Sequence, residues 1–79
     1  MKKEDEVYFS AKMHELADKF NAVAEALETA TPAVLTTTHG NFRSFADKTT
    51  AEFKKAGYND HDWNDLMIRS GASQKMGMR

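Results

Sequence analysis

Phe9, Met13, Leu16, Phe20, Val23 and Leu27 stand 4, 3, 4, 3 and 4 positions apart. An α-helix turns once every 3.6 residues, so these intervals put all six side chains on one side of a helix. The pattern predicts a helix over residues 4–29. Ser10, Ala17 and Ala24 recur every seven residues on the flank of the stripe, where small side chains let a neighbouring helix come close. Glu4, Asp5 and Glu6 sit at the end where the helix dipole favours negative charge, and Glu15 precedes Lys19 by one turn.

The first break is "TATPAV", residues 29–34. Proline pushes the preceding residue out of the helical region and fits the first turn of a new helix, so Thr31 is the expected N-cap with Pro32 at N1. A second apolar series follows: Leu35, Thr38, Phe42, Phe45, Thr49, Phe53 and Ala56. It keeps its phase through "TTTHGN", residues 36–41, although a β-branched run and Gly40 are poor helix formers. Unbroken phase favours one long helix over 32–56 against a helix, a loop and a new start at Asn41. Lys54 and Lys55 then occupy its last turn, and Gly57 is the C′ residue.

"GYNDHDWND", residues 57–65, resembles a ligand cluster at first sight, but its parts match a helix start better. Asn59 is placed to cap and Asp62 falls at N3, the two members of a capping box. Tyr58 at N′ and Trp63 at N4 occupy the positions of a hydrophobic staple, and Asp60 joins Asp62 in the acidic first turn. Trp63, Leu66 and Met67 form the inward face, and Arg69 stands just before a stop at Gly71. A calcium loop is the competing reading, since Asp60, Asp62 and Asn64 match its first three ligand positions. It fails at Asp65, where the loop needs glycine, and at Gly71, where it needs a bidentate glutamate.

The fold expected is therefore all-α: an antiparallel hairpin of two long helices plus a short third helix across one end, a small three-helix bundle. Residues 1–71 make the single domain, and the aperiodic 72–79, with Met76 and Met78, is expected to be a flexible C-terminal tail. Leu, Ile, Val and Phe number thirteen of 79, low enough to suggest disorder, but the net charge of −1 lacks the excess that disorder requires. A thin core with eleven alanines is the consequence, and it leaves self-association open.

Several functions are excluded or weakened by what the chain lacks. Without cysteine there are no disulfides, thiolate metal sites or cysteine nucleophiles. "MKKEDEVYFS" starts basic but turns acidic before any apolar run, so the expectation is a cytoplasmic protein with no signal peptide and no membrane span. His61 and Asp65 share a helix face, but two ligands do not make a metal site, and His14 and His39 have no assigned place beside them. No nucleophile elbow, phosphate loop or other catalytic motif is present, so neither an enzyme nor a cofactor is expected.

Three readings of function remain. The first is a non-enzymatic protein-binding module (an inhibitor, adaptor or regulator), a role common among small helical proteins of phages and mobile elements. Tyr8, Phe9, Leu16, Phe20 and Ile68 are its candidate contacts. The second is self-assembly, a homodimer with helix 4–29 as the seam, although an intramolecular bundle explains the same stripe. The last is a weak nucleic-acid-binding domain using Arg43, Lys48, Lys54 and Lys55, disfavoured by the neutral charge balance and the acidic start of the third helix.

Overall fold

The computed structural model describes residues 1–77 and is all-α. Its helices are α1 (Lys3–Thr29), α2 (Pro32–Lys55), α3 (Asp60–Arg69) and α4 (Ala72–Lys75). α1 and α2 form the expected hairpin. At 1.5 Å per residue α1 is about 40 Å long, and the molecule measures 42 × 24 × 18 Å. The hairpin therefore sets the length of the whole protein.

The hairpin turn is made by Ala30 and Thr31, both extended, and the Thr31 hydroxyl accepts the Val34 N–H at 3.4 Å. α2 continues without a break through Gly40. The hydroxyls of Thr36, Thr37 and Thr38 donate to carbonyls one turn back, those of Pro32, Ala33 and Val34. Such bonds satisfy β-branched polar side chains on a helix without leaving it. Nothing lies within 4 Å of where a Gly40 Cβ would be. Gly40→Ala is therefore expected to stabilise the fold by about 1 kcal/mol, since it removes backbone freedom from the unfolded chain at no steric cost. A rise in the urea midpoint checks this; a fall would mean that the helix is bent there.

Gly57, at φ 98°, closes α2 in the left-handed region that other residues avoid. The capping box follows as expected: Asn59 Oδ1 accepts the Asp62 N–H at 2.9 Å and Asp62 Oδ2 accepts the Asn59 N–H at 3.1 Å. Tyr58 and Trp63 both pack against Phe53, each with ring centroids at 5.2 Å. The staple positions thus grip the core through a third ring.

Phe53 is the centre of that core. It is 1% exposed and also meets Phe9 edge-on at 4.9 Å. Met13, Leu66, Met67 and Ala72 join Phe9 and Phe53 in one buried apolar cluster, with Leu16, Ala17 and Ala26 buried along α1.

One expectation needs correction. The segment after Gly71 does not begin a loose tail. Gly71, at φ 83°, turns the chain into α4, and Ala72 is wholly buried. α4 packs on α1 and α3. Three bonds hold this end of the chain to α1: His14 Nε2 to the Ser70 carbonyl at 2.6 Å, Asn21 Nδ2 to the Lys75 carbonyl at 3.1 Å, and Lys75 to Asp18 at 2.7 Å. Four residues are too few for a period to show in the sequence, so only the contacts reveal the helix. Met76 packs against the core, while Met78 lies outside the described residues.

The apolar stripe of α1 is covered over only part of its length. Phe9, Met13 and Leu16 are buried, Phe20 and Val23 are half-buried, and Leu27 is 68% exposed. On α2, likewise, Thr49 and Phe53 are buried while Leu35, Thr38, Phe42 and Phe45 are half-buried. The reason is length. α3 and α4 together span about half of a 40 Å hairpin, and the contacts that seat them on α1 run from Glu6 to Asn21. Beyond Asn21 none of the described residues adds a third layer to the hairpin.

Candidate functional site

The candidate contacts scatter. Phe9 and Leu16 are buried, at 4% and 5% exposed, which leaves little of either side chain for a partner. They were expected at a surface because a stripe does not say how many neighbours it has. Tyr8 is half-exposed; its hydroxyl donates to Glu52 Oε2 at 2.7 Å, and Lys12 lies over its ring at 5.4 Å. It is turned away from the face of α1 that carries α3, since Glu6 on that face pairs with Arg69. Ile68 is 71% exposed at the edge of α3. Phe20 packs its ring at 5.8 Å from that of Phe42.

The basic residues do not converge either. Arg43 and Lys54 are three turns apart on one side of α2, while Lys48 and Lys55 are two turns apart on another. Arg43 pairs with Asp47 at 4.0 Å.

The histidines are separated as well. His14 serves the α1–α4 contact, His39 stands on the far half of α2, and His61 lies in the first turn of α3. Among the described residues no three of His, Asp and Glu gather where they could hold a metal ion, and no helix is long and apolar enough to cross a membrane.

Two tyrosines act as straps between elements. Tyr8 ties α1 to α2 through Glu52, and Tyr58 ties the α2–α3 turn to α1 by donating to Asp5 Oδ2 at 2.6 Å. Donation to a carboxylate holds each phenol in its neutral form and raises its pKa above the ordinary value near 10; burial adds to this in both. Because the folded values are the higher ones, their stabilisation is complete below pH 10 and is lost as pH rises through them. The Tyr8→Phe/Tyr58→Phe double variant is therefore expected to be less stable than wild type at pH 8, with the gap narrowing above pH 10. Paired denaturation curves across that window measure it; a constant gap would rule out the straps.

What the structure does bring together is a groove on the far half of the hairpin. Val23 and Leu27 from α1 face Leu35, Thr36 and His39 from α2 around a space of about 330 Å³. The Phe20–Phe42 ring pair lies one turn nearer the core. Leu16 then lines a second groove of about 410 Å³ with Trp63, Met67, Ile68 and Met76, under the edge of α3 and α4. Val23 and Leu27 thus continue, as an open apolar track, the α1 stripe whose Leu16 lines the other groove and whose Phe20 stands between the two.

Sequence reading set Val23, Leu27 and Leu35 on apolar stripes, left the α1 stripe open between a core and a seam, and gave His39 no role. One signal could have singled them out. Between Phe20 and Phe42 the only acidic or basic side chains, His39 apart, are Glu25 and Glu28. A solvated helix face carries charge, whereas the centre of a protein interface is depleted of it.

Comparison with protein-family models, with curated proteins and with solved structures found no match for this chain.

Proposed function

We propose that this protein is a non-enzymatic protein-binding module, an inhibitor, adaptor or regulator, and that it binds through the far half of the α1–α2 hairpin. The observation that carries the reading is the uncovered apolar track: Leu27 is 68% exposed and Val23 and Leu35 are half-exposed around an open groove. Apolar area left in water forfeits roughly 25 cal/mol per Å², and a partner helix laid in the groove recovers it. An open groove between two packed helices suits that shape of partner better than a small molecule, which needs a closed cavity.

Self-assembly is the competing reading. The first half of the proposed seam is filled from within the chain, so a second copy would have only the track beyond Leu16 to use.

Leu27→Glu separates these readings, because so exposed a position tolerates charge without unfolding the chain. Tagged wild type and variant, matched in melting temperature, are compared in quantitative capture from source lysate and in sedimentation equilibrium. A partner held near stoichiometrically by wild type and lost by the variant is the expected result. A partner held equally by both would overturn the site. A wild-type dimer that the variant dissociates, with nothing else bound, would transfer the reading to self-assembly.

A further inference from the structure

Three methionines lie in or against the core cluster, and only Met76 among them is open to solvent. Met13 and Met67 are 0% and 7% exposed. Met76 is half-buried: it packs against the cluster and also lines the groove of about 410 Å³ that holds Leu16, Trp63, Met67 and Ile68. A thioether that faces both ways is within reach of a dissolved oxidant and still part of the packing.

Met76 also ends α4. Its N–H donates to the Ala72 carbonyl at 3.1 Å, and Gly77, at φ 82°, turns the chain beyond it. A helix of four residues has no stability of its own, so α4 keeps its place through what its side chains touch. Lys75 pairs with Asp18 where both are exposed, and such a pair holds little. The apolar grip on the core cluster comes from Ala72 at the start of α4 and Met76 at its end.

We infer that Met76 is a reversible oxidation site and that its sulfoxide unseats α4. The oxidant is hydrogen peroxide. The thioether sulfur gives a lone pair to one peroxide oxygen, the S–O bond forms as the O–O bond breaks, and the second oxygen leaves as water with both hydrogens. Sulfur is oxidised by two electrons and the peroxide is reduced by two. The product is a polar side chain whose oxygen accepts hydrogen bonds. Phe9, Met13, Phe53, Leu66, Met67 and Ala72 offer that oxygen no side-chain donor. Donors are met in solvent and in the groove, where Trp63, Asn64 and Ser73 stand. Satisfying the oxygen therefore draws Met76 out of the cluster. Met67, which shares the groove with Met76 and the cluster with Ala72, is then uncovered and becomes the next to oxidise. None of this depends on the binding surface at the far half of the hairpin.

The test adds graded hydrogen peroxide to the full chain, with peptide mass spectrometry on each methionine and hydrogen exchange on the amides from Gly71 to Met76. Met76 is expected to oxidise about tenfold faster than Met13 and Met67, and its oxidation to speed exchange in α4 by about tenfold. Met67 should follow after a lag. A mixture of the two methionine sulfoxide reductases, one for each epimer, is expected to restore the original exchange. Met76→Leu, a volume-conserving change, should hold α4 in place under the same peroxide although the exposed Met1 is oxidised. Met76→Gln, polar without any oxidant, should release α4 from the start. Oxidation of Met13 or Met67 as fast as Met76 would overturn the inference. So would oxidised Met76 with unchanged exchange in α4, a Met76→Leu chain that loosens under peroxide as much as wild type, or a Met76→Gln chain with native exchange.

Discussion

Phe53→Ala is expected to cost about 3–5 kcal/mol, the usual range for deleting a buried phenylalanine ring. Phe53 is 1% exposed and touches Phe9, Tyr58 and Trp63, which come from α1, from the turn and from α3. Removing it leaves a void bordered by three rings, none of which can move in without leaving the others. Domains are stable by roughly 0.05–0.15 kcal/mol per residue, so the loss is comparable with the whole stability of so short a chain. Urea denaturation followed by Trp63 fluorescence and near-ultraviolet circular dichroism measures the effect. A loss below about 1.5 kcal/mol, the scale of a volume-conserving swap, would show that the core lies elsewhere.

The second large effect comes from a pair of alanines that the sequence makes equivalent. Ala17 is wholly buried on the strip of α1 between His14 and Asn21, both of which bond the end of the chain, whereas Ala24, one heptad on, is exposed. Ala17→Leu is expected to destabilise the protein by about 1–3 kcal/mol through overpacking, and to release α4 so that amides from Gly71 to Met76 exchange faster. Ala24→Leu should leave stability within about 0.5 kcal/mol, as surface changes do. Denaturation and hydrogen exchange on both variants decide the matter. Equal effects at the two positions would mean that the third layer does not end where the structure places its end.

Much of the fold is legible in the sequence because the signals are local. The capping box of Asn59 and Asp62, the cap at Thr31 before Pro32, and Gly57 at the end of α2 each depend on residues within one turn of one another. The long α2 is legible for a related reason: the apolar phase persists across Gly40, and phase is a property of the helix itself.

The candidate site is where local reading stops. Phe9 and Leu27 stand on one stripe and are indistinguishable by period, yet one is 4% exposed and the other 68%. Burial depends on whether another element reaches that far. α4 escapes notice for the opposite reason: its four residues hold no period, and Ala72 is buried by what α1 and α3 bring to it.

The sequence alone determined the helical class, the hairpin, the caps and the absence of cysteine chemistry, because periodicity, capping and composition act over a few residues. Which half of the hairpin is covered depends instead on packing between elements distant in the chain. Coverage is a comparison of lengths in space: a hairpin of about 40 Å against an α3–α4 layer seated on α1 only as far as Asn21. That difference leaves Val23, Leu27, Leu35 and His39 in the open.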